Sequence, residues 1–142
     1  MRKIKIVYLD DHSVYRNGVQ ACIDPNKERF FFMHFGHADD ALRYIKNSFD
    51  NNCKIDLIIT DYNHPGINGY QFAKEVRALE KLHNKKTPIF LISFCEKSMT
   101  EPIQIGLAEG VFNYCLGKNA EVPDILHAID YLLSKDGKRE GE

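Results

Sequence analysis

The sequence contains no closely spaced pair of cysteines. Its four cysteines, Cys22, Cys53, Cys95 and Cys115, are widely scattered and form no C-x-x-C motif. This spacing indicates neither a disulfide framework nor a cysteine zinc site. Three of the four lie within apolar stretches, where a reduced thiol packs as a small hydrophobic side chain. We therefore expect a protein of a reducing compartment, the cytoplasm.

Long apolar runs are also absent. No run approaches the roughly 18 residues that a membrane-spanning helix requires. The first three residues, Met1-Arg2-Lys3, lead directly into a strand-like segment and not into the apolar core of a signal peptide. These features predict a soluble chain with no membrane partner and no targeting signal.

The chain has no excess of either charge. Nineteen basic and twenty acidic side chains give a net charge of −1, so no overall field favours nucleic acid or anionic lipid, and we expect no direct binding of nucleic acid. A length of 142 residues with 44% apolar and 27% charged residues is typical of one globular domain. We expect that domain over residues 1–133, followed by a charged tail at 134–142.

Short apolar runs alternate along the chain with segments of helical periodicity. The runs predict strands over residues 4–9, 30–35, 55–60, 89–93 and 113–116, and the periodic segments predict helices over 14–23, 38–49, 72–82, 99–109 and 122–133. For the first helix, Ser13 or Asp11 is the expected cap. Five strand–helix units of this length predict an α/β fold in which helices cover both faces of a parallel sheet.

Polar residues follow the ends of the predicted strands, where open α/β sheets bind their ligands. They are Asp10 and Asp11 after the first strand, Asp61 after the third, Ser93 at the end of the fourth and Lys118 after the fifth. If the first and third strands are neighbours, three carboxylates crowd one small volume and favour a hard cation, most simply Mg²⁺. The hydroxyl and the ammonium suit the oxygens of a phosphoryl group attached to a carboxylate.

Each of these residues also has an ordinary structural interpretation. Asp11 is a good helix cap, and Asp61 is a good first residue for the turn that follows it. Ser93 alone is typical of a strand end, and Lys118 alone is typical of a solvated surface. The functional interpretation depends on all of these sites carrying the residue types that one metal-assisted phosphoryl site needs.

The chain resembles the receiver domain of two-component response regulators, the CheY-like family. The resemblance covers roughly residues 3–133 and is carried by Leu9-Asp10-Asp11-His12, Asp61-Tyr62-Asn63-His64-Pro65-Gly66-Ile67-Asn68-Gly69, Ser93 and Lys118. It implies a flavodoxin-like (βα)5 fold with strand order 2-1-3-4-5. It also implies that a sensor histidine kinase or a phosphotransfer protein is the partner, and that the chain is a signalling phospho-acceptor and not an enzyme.

The same resemblance assigns roles to individual residues. Asp61 is implied to be the phospho-acceptor, with Mg²⁺ held by Asp10, Asp11, Asp61 and the backbone carbonyl of Asn63. Ser93 and Lys118 are implied to contact the phosphoryl oxygens, and Ser93 and Tyr114 to form the switch. His12 is interpreted as a surface or helix-capping residue. The signal is expected to leave through helix four, strand five and helix five, which is also the surface for a possible homodimer.

One departure from the family pattern concerns the lysine. Receivers place it directly after two apolar residues, whereas Gly117 intervenes here between Leu116 and Lys118. A shift of one residue sends a strand side chain to the opposite face, so either Gly117 permits a bulge that re-aims Lys118 or the ammonium is displaced. Phe94, where the family has a small residue, is expected to narrow access to Asp61.

Three other functions are compatible with such a fold, and particular residues argue against two of them. A flavodoxin-like electron carrier is disfavoured because Asp10 and Asp11 would repel the phosphate of the flavin. A dehalogenase-type phosphatase is disfavoured because it needs a second acid where this chain has Asn63. The remaining alternative is a degenerate receiver that binds a partner without phosphorylation. The sequence around Arg16-Asn17-Gly18 also resembles receivers joined to a helix-turn-helix output domain, and we expect no such domain within these 142 residues.

Overall fold

The computed structural model describes residues 3–61, 66–84, 90–95, 101–117, 124, 126–131 and 134. For residues 26, 90–95, 101–103 and 117 it describes the backbone alone. Among the helices of this described part, none is long and apolar enough to span a membrane.

A five-stranded parallel sheet forms the centre of the molecule. Its strands are β1 (Ile4–Leu9), β2 (Phe30–Phe35), β3 (Leu57–Asp61), β4 (Phe90–Cys95) and β5 (Tyr114–Gly117). They lie in the order β2-β1-β3-β4-β5, which confirms the predicted strand order and fold class. Because β1 is flanked on one side by β2 and on the other by β3, the chain reverses direction across the sheet at the carboxyl end of β1.

The helices follow the strands as predicted. They are α1 (Ser13–Ile23), α2 (Ala38–Asp50), α3 (Gly69–Leu82) and α4 (Glu101–Ala108), and residues 124, 126–131 and 134 are helical after β5. At the start of α3, Asn68 accepts a bond from the Gln71 amide while the Gln71 side chain accepts from the Asn68 amide. This reciprocal pair satisfies two amides that the first turn leaves without partners.

The predicted cap of α1 is wrong. The cap residue is His12, not Ser13 or Asp11, and its side chain makes no capping bond. The carboxylate expected at the helix start is instead turned towards the neighbouring acids described below. Strand boundaries also differ, because β3 begins at Leu57 and includes Asp61, and β4 continues two residues past Ser93.

The end of β5 bears on the predicted bulge. Pairing with β4 continues without an inserted residue through Leu116 opposite Phe94 and Gly117 opposite Cys95. The described part of β5 therefore contains no bulge, and the lysine that follows it lies outside the described residues.

Successive side chains of the two central strands point to opposite faces of the sheet, as strand geometry requires. One face packs α2 and α3 over a core that includes Val7, Leu9, Ile58, Phe72 and Val76. The other face packs α1 and the last helical segment over a core that includes Ile6, Tyr8, Leu57, Ile59 and Ile129. These cores fix β1 and β3 beside each other, and thereby fix the residues at their ends.

Candidate functional site

Register brings the acids at the ends of β1 and β3 to one level of the sheet. Leu9 lies opposite Thr60, so Asp10 and Asp61 are each the next residue on neighbouring parallel strands. The Asp10 amide donates to the Phe35 carbonyl at 3.1 Å, which extends the pairing of β1 with β2 by one residue. The sequence hypothesis that three carboxylates gather at this edge is thus realised in the geometry.

Among the described residues, four side chains form the cluster, which we call the acidic site: Asp10, Asp11, His12 and Asp61. One ligand atom from each lies within 4.8 Å of those of the others. Asp10 and Asp61 are 2% and 0% exposed, whereas Asp11 and His12 are 28% and 53% exposed. The site therefore has a buried floor of two carboxylates and a rim that reaches solvent.

Asp10 is held by hydrogen bonds to both of its carboxylate oxygens. The Tyr8 hydroxyl donates to Oδ2 at 2.8 Å, and the His12 amide donates to Oδ1 at 2.9 Å. Burial raises the pKa of Tyr8 well above its ordinary value, and the negative charges of Asp10 and Asp61 raise it further. Tyr8 is consequently a neutral donor that orients the Asp10 carboxylate.

Asp11 supplies the observation that bears on a metal. Its Oδ1 atom is buried and makes no hydrogen bond to any residue that the structure describes, although His12 Nδ1 lies 3.1 Å away. A buried carboxylate oxygen without a donor is costly unless a cation approaches it. Three carboxylates with one such oxygen fit a hard divalent ion such as Mg²⁺.

Arg16 supports the backbone beneath the site. Its Nη1 atom donates to the Asp10 carbonyl at 2.7 Å, and its Nε donates to His34 Nδ1 at 3.2 Å. Burial lowers the pKa of His34, and the Arg16 charge lowers it further, which keeps the ring neutral and able to accept this bond. Glycine at position 36 leaves space for the Arg16 guanidinium, because a Cβ there would lie 2.8 Å from Arg16 Nη1.

The remaining predicted site residues are only partly described. Ser93 lies opposite Thr60 on β4, one position before the level of Asp61, and nothing is described of its side chain. Asn63 and Lys118 lie outside the described residues. Tyr114 is half-buried beside the core of the α1 face, with its ring 6.2 Å from that of Tyr131. The roles assigned to these residues stay predictions.

Sequence reasoning missed Tyr8 and underestimated His12. Tyr8 could have been found, because it stands two residues before Asp10, and alternate strand residues share a face. The direction of the His12 ring could not, since it depends on the β1–α1 turn and on the Tyr15 ring, which lies 5.6 Å away edge-to-face.

Comparison with known proteins finds relatives that match most of the chain. The family model described as the response regulator receiver domain matches residues 6–130. The Fimbriae Z protein of Escherichia coli K12 is 25% identical over 135 residues, covering 94% of this chain and 58% of that protein. The nitrate/nitrite response regulator protein NarL of the same strain is 27% identical over 124 residues, covering 87% and 52%.

Solved structures agree on the fold. The chemotaxis response regulator CheY4 of Vibrio cholerae matches with a TM-score of 0.72 and 22% identity, covering 92% of this chain and 98% of that one. The chain thus spans little more than half the length of these two curated relatives and nearly all of a single-domain structure. The boundary predicted at residue 133 stays a prediction.

Proposed function

Since this chain belongs to the receiver-domain family of two-component response regulators, we propose that Asp61 accepts a phosphoryl group from a phosphohistidine of a sensor kinase or a phosphotransfer protein. Receiver domains generally bind Mg²⁺ at an acidic pocket and are phosphorylated by such partners. The observation that carries the proposal is the convergence of Asp61, 0% exposed, with Asp10 and Asp11 within 4.8 Å at the ends of adjacent strands.

The site residues have different proposed roles. Asp10, Asp11, Asp61 and the carbonyl of Asn63 are the proposed metal-holding groups, and a bound Mg²⁺ would neutralise charge on the phosphoryl oxygens. Asp61 offers a carboxylate oxygen as the nucleophile. Tyr8 and the His12 amide hold Asp10 in place from both sides, so the floor of the site is positioned before any partner arrives.

We place the chain as a signalling phospho-acceptor and not as an enzyme with a released product. A phosphatase built on an aspartyl intermediate uses an acid two residues after the nucleophile, and this chain has Asn63 there. The phosphoryl group would therefore persist on Asp61 long enough to be read by a partner or an output domain. Ser93 and Tyr114 are the proposed readers, through α4, β5 and the helical segment that follows, which is also the proposed homodimer surface.

The degenerate receiver is the second candidate, and the position of Lys118, one residue later than in the family pattern, favours it. The pairing of β5 is regular to Gly117, so the described part of β5 does not contain the bulge that could re-aim the lysine. If the displaced ammonium does not reach the phosphoryl oxygens, a partner would recognise the fold without a phosphorylation switch.

Acetyl phosphate labelling tests the proposal. Intact-protein mass spectrometry with Mg²⁺ is expected to show one added phosphoryl group, lost in Asp61→Asn and retained in Asp40→Asn, which alters an exposed acid in the first turn of α2. Absence of the added mass, or its persistence in Asp61→Asn, would overturn the assignment. Labelling without a change in amide exchange across β4–β5 on binding a Mg²⁺–beryllofluoride analogue would favour the degenerate receiver.

A further inference from the structure

The fourth member of the acidic site is an imidazole, and its position is unlike that of a helix cap. His12 occupies the N-cap position of α1 with extended backbone, yet its side chain makes no capping bond. Its Nδ1 atom instead makes a hydrogen bond of 3.2 Å with Asp10 Oδ1 and lies 3.1 Å from Asp11 Oδ1. The ring nitrogen therefore faces both carboxylates, and an ion bound between them would take the place of the shared proton.

These separations match those between neighbouring ligands of a single ion. In an octahedral site with bonds of about 2.1 Å, adjacent ligand atoms lie about 3.0 Å apart and opposite ones about 4.2 Å apart. The two imidazole–carboxylate distances are close to the first value, and the limit of 4.8 Å over all four residues accommodates the second. One ion can thus contact the nitrogen and the oxygens together after small side-chain adjustments.

Asp11 Oδ1 also points to a cation at this place. It is buried, it makes no hydrogen bond to any of the described residues, and it is the carboxylate oxygen nearest to His12 Nδ1. The His12 ring is in edge-to-face contact with the Tyr15 ring at 5.6 Å. The imidazole is thus held beside a buried oxygen that a cation would satisfy.

We propose that His12 is an additional metal ligand at the acidic site, and that its imidazole shifts the preference of the site from Mg²⁺ towards transition ions that bind imidazole well, such as Ni²⁺. Carboxylate and water oxygens suit Mg²⁺, whereas imidazole suits transition ions and adds little for Mg²⁺. The inference rests on the metal-binding part of the proposed function and adds a ligand to it.

A matched pair of variants isolates the nitrogen. His12→Phe keeps an aromatic ring beside Tyr15 and removes the ligand atom. His37→Phe is the control, because His37 is also an N-cap histidine with extended backbone and no capping bond, at the start of α2. The His12 side chain is 53% exposed, so His12→Phe is expected to fold as the parent does, and circular dichroism melting checks this.

Titration calorimetry on the full chain with Ni²⁺ and with Mg²⁺ gives the first readout. His12→Phe is expected to weaken Ni²⁺ binding at least about tenfold, the lower end of what loss of a group that supports a metal costs, and to change Mg²⁺ binding by less than about twofold. His37→Phe is expected to change neither. Equal Ni²⁺ affinity in the parent and in His12→Phe would overturn the inference.

A spectroscopic readout on the unaltered protein needs no variant. Pulsed electron paramagnetic resonance of bound Mn²⁺ is expected to show coupling to one imidazole nitrogen, changed by ¹⁵N-histidine labelling and lost in His12→Phe. Bound Mn²⁺ without nitrogen coupling would overturn the role of His12 and leave the carboxylate site of the proposed function intact. Failure of every divalent ion to bind would overturn both.

Discussion

At the scale of single residues, the site depends on donors that surround Asp10. The carboxylate accepts from the Tyr8 hydroxyl and the His12 amide, and its own backbone carbonyl accepts from Arg16. Asp10 is 2% exposed and has Asp61 as a buried acidic neighbour, so each of these bonds offsets part of the cost of keeping its charge out of water. Tyr8 is the member whose contribution one substitution can isolate.

Tyr8→Phe removes only the hydroxyl and leaves Asp10 Oδ2 buried without that donor. We expect the metal-free protein to lose about 1–3 kcal/mol of unfolding free energy, the cost of an unsatisfied buried polar group. Urea denaturation followed by circular dichroism measures this. Tyr44→Phe is the control, because the Tyr44 ring lies against the Lys5 ammonium and would keep that contact. Equal stability of Tyr8→Phe and the parent would show that water replaces the hydroxyl.

Part of the acidic site could be predicted from the sequence. The convergence of Asp10, Asp11 and Asp61 was predictable, because the carboxyl ends of parallel strands lie at one edge of the sheet. The direction of the His12 ring was not, since a side chain at a turn is set by tertiary neighbours and not by periodicity. The capping assignment failed for the same reason: Asp11 is a good cap by residue type, but it lies in the site.

At the scale of elements, two glycines in helices have opposite surroundings. A Cβ on Gly18 of α1 would meet nothing within 4 Å. A Cβ on Gly106 of α4 would lie 2.5 Å from Phe112 Cδ2 and 3.4 Å from Tyr70 Cδ2. Gly106 thus allows α4 to approach the Phe112 ring, which is 1% exposed and part of the core that also holds α3.

Alanine at these two glycines is expected to change stability in opposite directions. Gly18→Ala should stabilise the protein by roughly 0.5–1 kcal/mol, because alanine is the better helix former and no clash opposes it. Gly106→Ala should destabilise it by about 1–3 kcal/mol, the typical cost of overpacking a core. Chemical denaturation of both variants measures the difference, and a stabilising Gly106→Ala would show that α4 moves freely away from Phe112.

At the scale of the whole molecule, alternation of strands and helices was sufficient to predict the fold. Strands such as Ile4–Leu9 are covered on both faces of the sheet, so their sequences are mainly apolar. For this reason β1 was predicted with the same bounds that the structure shows. The bounds of strands that end in polar residues were harder to predict. Asp61 is in β3 because it pairs with Phe94, a contact between residues 33 apart in sequence that no local pattern reports.

The acidic site links the stability of the whole molecule to Mg²⁺. Mg²⁺ should raise the melting temperature of the parent, because it binds the folded site alone. Without metal, Asp11→Ala should be more stable than the parent by roughly 1 kcal/mol and melt at a higher temperature, since it relieves repulsion with Asp10 and Asp61. The melting temperature of Asp11→Ala should also rise less than that of the parent when Mg²⁺ is added.

Differential scanning calorimetry with and without Mg²⁺ measures both effects. Asp39→Ala is the control, because it removes a carboxylate from the first turn of α2, away from the acidic site, and should leave the response to Mg²⁺ unchanged. An Asp11→Ala variant that responds to Mg²⁺ as the parent does would return Asp11 to a purely structural role.

The positions of Asp10 and Asp61 at the ends of β1 and β3 determine how long the arrangement of their carboxylates persists. Both strands lie inside the sheet with cores on both faces, and such segments are among the last parts of a domain to open to solvent. We therefore expect the ends of the two strands to keep their mutual position during smaller, local fluctuations of the chain. Binding partners that stay for very different lengths of time therefore meet the same two buried carboxylates. Among the described residues of the acidic site, Asp11 and His12 are exposed enough to move on the timescale of side-chain rotation.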